Sequence, residues 1–308
     1  MHIFETGQRV DFLKFLPDGE RLLVSSARTS QKSQLEIWHP LSGESVPFDV
    51  PGDRDGAALP LYSPNQVAFS TNGELCYVVW KHKFYVLETA TGLRREIPGG
   101  QLVNLLPSQI AISPDRKQLK ILCHNYGVKP HQLLTVEAAS LKLLNQNELR
   151  DTWPMLAPYL PDGKTFVTID EDRVAVRQSQ DDEVIAECSY PANSSNMPVL
   201  SPDGQTLAVA GYSSLYFFDL QTLAKPRRIT TKQSGGDYRS YAFHPDGQHF
   251  ALIFTGPTLI KLFDLKHLKL QHKLNWRIGK LTSIDFSPTG AVAAAGSEDG
   301  KIVVWDVD

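Results

Sequence analysis

The chain has 308 residues, with 31 Lys and Arg against 34 Asp and Glu, a formal net charge of -3 and 42% hydrophobic residues. That composition excludes wholesale disorder, and the charge balance gives no electrostatic footprint for nucleic acid or an anionic membrane. No apolar run is long enough to span a bilayer, and the opening MHIFETGQRVDFLKF lacks the basic-then-apolar order of a secretory leader.

The first predicted element is a lone strand, His2 to Thr6. A unit then recurs, each time a short apolar strand, a tight turn and a second strand. It reads FLPDGERLLVSS from Phe15, FSTNGELCYVV from Phe69, ISPDRKQLKIL from Ile112 and YLPDGKTFVTI from Tyr159. It continues as SPDGQTLAVAG from Ser201, FHPDGQHFALI from Phe243 and FSPTGAVAAAG from Phe286. Proline pre-sets the φ of such a turn and glycine supplies its positive φ. A third strand follows each copy: LEIWHP (35–40), FYVLET (84–89), QLLTVEA (132–138), RVAVRQ (173–178), LYFFDL (215–220), LIKLFDL (259–265) and KIVVWDV (301–307). These are β-branched and aromatic runs bounded by turn residues, and no segment sustains a helical period.

The proline position of each copy is Pro17, Thr71, Pro114, Pro161, Pro202, Pro245 and Pro288, giving gaps of 54, 43, 47, 41, 43 and 43 residues. A repeat of about 40–45 residues is the spacing of a four-stranded propeller blade. The expected fold is therefore all-β: a single seven-bladed β-propeller over residues 1–308, with four antiparallel strands per blade. The blades are placed at about 9–50, 63–101, 105–148, 152–190, 194–231, 238–275 and 279–308. The last unit has only three strands, and residues 1–6 supply its fourth and close the ring. Closure removes the exposed edges that invite aggregation.

GSEDGKIVVWDVD (296–308) resembles the signature of the WD-repeat family: Gly-Ser, Asp299 in the turn before the third strand, then Trp305-Asp306. Phe218-Asp219, Phe263-Asp264 and Trp38-His39 stand at the same place in other units, so the resemblance covers the whole chain. The Gly-His dipeptide that usually precedes each blade in the family is missing throughout, and only the last unit has the turn aspartate clearly. The resemblance implies a structural role for Asp299, Trp305 and Asp306 in the last blade.

Calling the strands of a blade a to d, the a–b and c–d turns share one face and the b–c and d–a links the other. The a–b and c–d turns are short. The long segments fall on the opposite face: 27–34 and 124–131 at b–c, 49–65 and 231–239 at d–a. Insertions gathered on one face of a repeat protein commonly mark its binding face. Candidate partner-binding residues there are Arg28, Trp80, His82, Tyr126, Trp153, Tyr212, Tyr238, Arg239, Trp276 and Arg277. Arginine and aromatic residues dominate interface hot spots. Packing against a neighbouring blade is the competing role for each, most of all for Trp153 beside Pro154.

Catalytic signatures are absent: no nucleophile elbow, zinc-protease helix or phosphate loop is present. The nine histidines are scattered without ligand spacing, and His244 reads as a structural turn residue. Asp170-Glu171-Asp172 and Asp181-Asp182-Glu183 read as solvated turns at opposite ends of one blade. Asp53-Arg54-Asp55-Gly56 starts like a calcium loop but lacks the later ligands. The basic run Lys261 to Lys280 reads as protection of an outer strand against edge pairing, with an acidic partner as the other reading. Cys76, Cys123 and Cys188 are odd in number and lie in apolar runs, so reduced core thiols and a cytoplasmic location are expected.

The leading expectation is thus a non-enzymatic scaffold or regulatory subunit that presents a loop-rich face to a protein or peptide partner. It is expected to need no cofactor or metal and to bind neither nucleic acid nor membrane. The alternative is a small-molecule-binding or enzymatic propeller that works at the mouth of the central channel.

Overall fold

A computed structural model of the chain describes residues 1–27, 34–48, 64–80, 82–95, 105–124, 130–149, 151, 154–190, 196–211, 214–230, 238–254 and 258–307. Among the described residues, alternating apolar runs separated by tight turns fold into 28 strands. Strand β1 is His2–Glu5. The first blade has β2 Arg9–Phe15, β3 Leu22–Ala27, β4 Gln34–Trp38 and β5 Ser45–Pro47; the second has β6 Val67–Phe69, β7 Leu75–Trp80, β8 Lys83–Glu88 and β9 Arg94–Arg95. The third has β10 Pro107–Ile112, β11 Gln118–Cys123, β12 His131–Glu137 and β13 Leu143–Leu149. The fourth has β14 Met155–Tyr159, β15 Thr165–Asp170, β16 Arg173–Gln178 and β17 Val184–Ser189. The fifth has β18 Asn196–Leu200, β19 Thr206–Ala210, β20 Ser214–Asp219 and β21 Arg227–Thr230. The sixth has β22 Tyr238–Phe243, β23 His249–Phe254, β24 Ile260–Asp264 and β25 Lys269–Leu274; the seventh has β26 Leu281–Phe286, β27 Val292–Ser297 and β28 Lys301–Asp306.

Each blade is a four-stranded antiparallel sheet in sequence order, and β1 adds to β28 to complete the seventh, with His2 opposite Val304 and Glu5 opposite Lys301. This is the seven-bladed β-propeller that the repeat period predicts. No helix among the described residues is long and apolar enough to cross a membrane.

The chain divides into two compact units. Unit 1 comprises residues 1–62, 88–94 and 229–308; unit 2 comprises residues 63–87 and 95–228. The core of each lies between facing sheets. In unit 1, Val10, Leu13, Phe15 and Val24 of the first blade pack on Ala294, Ile302 and Val304 of the seventh. Ala242, Ala251 and Ile253 of the sixth pack on Ile284, Phe286 and Val303 of the seventh. In unit 2, Tyr77 and Val86 meet Ile110 and Leu119, Leu122 and Leu133 meet Tyr159 and Phe166, and Val167 and Val176 meet Leu207 and Phe218. Cys76 and Cys123 are buried free thiols, and burial pushes the Cys123 thiol up to about 12.

The turn that the sequence repeats closes identically in all seven blades. The backbone N–H of Ser201 bonds the Thr206 carbonyl and that of Gly204 bonds the Ser201 carbonyl. The same pair of bonds recurs at Leu16, Ser70, Ser113, Leu160, His244 and Ser287. The third copy replaces Gly with Arg116, which holds φ at 55° while its guanidinium bonds the carbonyls of Phe69 and Ser70, 3.1 and 2.9 Å away. Strand a is also sewn to strand a of the next blade by polar side chains. Gln109 accepts the Leu156 N–H, Ser240 that of Ile284, Ser283 that of Leu13 and Asp285 that of Phe15.

One expectation is overturned in the fourth blade. Asp182 is not part of a solvated turn: it is buried, and Lys120 of the third blade, itself fully buried, places its ammonium 2.5 Å from the carboxylate. The Lys120 ammonium also bonds Thr135 and the Ser179 carbonyl and lies 4.7 Å from the centre of the Phe166 ring. Asn147 bonds the other Asp182 oxygen, and Arg177 bonds the Asp182 carbonyl and the Asp151 carboxylate. Burial pulls the Lys120 amine below its ordinary value against the opposing pull of Asp182.

Candidate functional site

Strand a starts at the end of each sheet that carries the b–c and d–a links, and there the ladder is irregular. The a–b pairing shifts register between Val10 and Phe12, between Tyr238 and Ser240, and between Leu281 and Ser283. Such bulges leave one residue out of the pairing and re-aim its side chain. The residues skipped are Asp11, Arg239 and Thr282, which occupy equivalent places in the first, sixth and seventh blades of unit 1.

Asp11 and Arg239 are close enough for the guanidinium to act on the carboxylate. Asp11 is buried, with one carboxylate oxygen 2.9 Å from Arg9 Nε. Its other oxygen, Oδ2, is buried without a hydrogen-bond partner, as is the hydroxyl of Thr282. Burial pushes the Asp11 carboxyl above its usual range, against the pull of Arg9 and of Arg239. Arg9 also reaches Glu298 at 4.0 Å, and Glu298 lies 3.9 Å from the Lys280 ammonium. Burying a polar group without a partner costs free energy, so Asp11 Oδ2 and the Thr282 hydroxyl each carry such a cost at this end of the sheets.

Of the ten candidate partner-binding residues, the structure brings Arg239 to this site. Trp276 and Arg277 lie in the link that enters the seventh blade. Trp276 is half-buried against Trp305, ring centres 5.4 Å apart, and its indole N–H is buried and unpaired. Arg277 is exposed at φ 53°, its N–H bonded to Asn275. Tyr238 packs on Phe254 and gives its hydroxyl to the Ile229 carbonyl, a structural peg. In unit 2, Trp80 is 4% exposed and belongs to the core, whereas His82 is exposed in its turn at φ 57°. Arg28, Tyr126, Trp153 and Tyr212 lie outside the described residues.

Of the residues singled out by the signature, Trp305 is buried under Trp276 and Asp306 is exposed, 3.9 Å from the N-terminal ammonium. Asp299 is exposed, with its carboxylate against the backbone of Gly279, where a Cβ would fall 2.7 Å from its Cγ. Asp11 and Thr282 were not singled out from the sequence, because alternation counted through a bulge assigns the skipped residue to the wrong side of the strand. In unit 2 the inner strands β10, β14 and β18 instead meet a short turn, Pro64–Gln66. There the buried Asn65 amide bonds the Pro198 carbonyl at 3.1 Å.

Comparisons with known proteins agree with this architecture. The family described as "WD domain, G-beta repeat" matches residues 269–306. Pre-mRNA-processing factor 19 homolog 2 of Arabidopsis thaliana is 28% identical over 127 residues, 39% of this chain and 23% of that protein. The chain spans between 21% and 39% of the length of the curated relatives it matches. Among solved structures, the Cps50 (Swd1) β-propeller domain of Myceliophteria thermophila superposes with a TM-score of 0.76 at 15% identity, covering 100% of this chain and 99% of that one. A chain of Kuenenia stuttgartiensis hydrazine synthase gives 0.74 at 16% identity, covering 100% and 97%. At these identities the likeness is one of fold.

Proposed function

This chain belongs to the WD-repeat β-propeller family, and we propose that it works as a non-enzymatic interaction module for a protein or peptide partner. The partner docks on unit 1 at the end of the sheets that holds Asp11, Arg239, Thr282, Trp276 and Arg277. The observation that carries this reading is the buried Asp11 carboxylate, ion-paired to Arg9 and within the electrostatic reach of Arg239, at the end of the sheets that also carries exposed Arg277. Exposed Arg277 adds a hydrogen-bonding rim, and Trp276 an apolar one with a free N–H. A rigid β scaffold pre-organises the surface, which reduces the ordering cost of binding.

A small-molecule or catalytic role at the same place is the second reading, favoured by the buried carboxylate and by the propeller fold shared with a chain of hydrazine synthase. Against it, Asp11 is already paired with Arg9. The free thiols fit a reducing, cytoplasmic setting. The test is affinity capture from the native cell extract with the wild type beside Arg239→Ala/Arg277→Ala, both first shown to be folded.

A further inference from the structure

Four of the nine histidines lie in the sixth blade: His244, His249, His267 and His272. Its a–b turn puts His244 where four other blades have serine. Two of those serines, Ser113 and Ser201, bond the aspartate two places on at 2.6 and 2.5 Å. His244 Nδ1 lies 3.0 Å from Asp246 Oδ1.

The far side of the ring is fixed from the neighbouring blade. His244 Nε2 lies 3.0 Å from the Gly290 carbonyl oxygen. A carbonyl only accepts, so Nε2 donates to it, and the Nδ1 lone pair faces the Asp246 side of the turn, where it accepts the Asp246 backbone N–H at 3.2 Å. The ring also meets Phe286 edge-on at 5.0 Å. Position 290 must be glycine for this contact, since a Cβ there would fall 2.7 Å from Nε2. An imidazole whose outer N–H is held by a backbone carbonyl, leaving the other nitrogen as donor, is the arrangement that orients metal-bound histidines.

The remaining groups converge on the same point. His249 Nδ1 lies 2.6 Å from Asp246 Oδ2. The three candidate ligand atoms, one from each residue, lie within 4.8 Å of one another. Burial pushes the Asp246 carboxyl up, but hydrogen bonds from the His249 side chain and from the backbone N–H groups of Gln248 and His249 outweigh it and hold it at about 2. Asp264 stands directly opposite His249 in the strand pairing and bonds His267, so a second carboxylate sits beside the cluster.

We propose that His244 Nδ1, the Asp246 carboxylate and His249 Nδ1 form a binding site for a zinc-like first-row dication. Two imidazole nitrogens and one carboxylate suit zinc and its neighbours, whereas calcium and magnesium want all-oxygen shells. His249, 48% exposed, closes the short distance needed for metal–nitrogen bonds of about 2.0–2.1 Å. Three protein ligands leave a position for water or for a ligand atom from another molecule. The site lies at the a–b end of its sheet, away from the partner site proposed above, and either reading stands if the other fails.

The test is titration of the full chain with Co²⁺, read by visible absorption, followed by displacement with Zn²⁺. The expected result is one equivalent of Co²⁺ with ligand-field bands that Zn²⁺ abolishes. His249→Ala and Asp246→Asn should each weaken binding about tenfold or more, while His272→Ala, on the exposed outer strand, should leave it unchanged. His249 is at the surface, so its variant keeps the fold, as circular dichroism will verify, and decides the matter if Asp246→Asn does not fold. Absence of a saturable band, or a band unchanged in His249→Ala, overturns the proposal.

Discussion

The repeated turn does two things at its glycine, and substitution separates them. Gly163 and Gly204 occupy the same turn position in adjacent blades of unit 2, with φ of 66° and 69°. Each faces the turn proline of the preceding blade. A Cβ at Gly163 would meet Pro114 Cδ at 3.7 Å, an ordinary contact. A Cβ at Gly204 would overlap Pro161 Cδ and lie 2.5 Å from its Cγ, in a ring that cannot rotate away. Alanine at positive φ costs roughly 1–2 kcal/mol, offset by about 0.4–1 kcal/mol of lost unfolded-state freedom. Gly163→Ala is therefore expected to cost about 1 kcal/mol. Gly204→Ala adds an overpacking term of roughly 1–3 kcal/mol, for a total of about 2–4 kcal/mol. Urea denaturation of the two variants measures the difference. In a Pro161→Ala background the excess at Gly204 should vanish, which a double-mutant cycle reads directly. Equal losses at both glycines, or an excess that survives removal of Pro161, refute the idea that stacked turns set the spacing between blades.

Two further outcomes are expected. Burial pushes the Asp285 carboxyl up to about 6, against the pull of Lys14 and of the N–H groups of Phe15 and Phe286. A folded-state value above the unfolded one near 3.9 means the folded chain holds the proton more tightly, so this stabilisation is complete below about pH 4 and is lost as pH rises toward 6. Asp285→Asn should therefore gain on the wild type by about 2 kcal/mol between pH 4 and pH 7; a pH-independent difference in melting between the two proteins contradicts this. Lys120→Met strands the Asp182 carboxylate in the core and should cost about 3–5 kcal/mol, with much of that recovered in Lys120→Met/Asp182→Asn. A small loss in the single variant, by chemical denaturation, contradicts it.

The architecture was legible because it is written periodically. Seven turns and seven third strands repeat at blade spacing, and the β1 to β28 pairing follows from counting strands. The site was less legible, since it depends on what breaks the period. Asp11 and Thr282 lie in bulges, and a bulge has no signature when alternation is counted in steps of two. Trp80 looked like a loop residue because it ends a strand, yet strand ends at the blade core are buried. Asp182 looked solvated because its neighbours Asp181 and Glu183 are. Its partner, Lys120, is 62 residues away and sits in an apolar strand where a lysine gives no local hint of its use. The closeness of His244, Asp246 and His249 leaves no mark in the spacing of the histidines, because it spans a turn and the carbonyl that holds the His244 ring belongs to the next blade.

The central claim is that unit 1 docks a protein or peptide on the end of its sheets that carries Arg239 and Arg277. Affinity capture from the native extract, quantified by mass spectrometry, tests it most directly with the wild type, Arg239→Ala/Arg277→Ala, and Thr289→Ala at the opposite end of the seventh blade. The account predicts a stoichiometric partner held by the wild type and by Thr289→Ala and lost by the double variant. A partner held equally by all three, or lost only by Thr289→Ala, contradicts it.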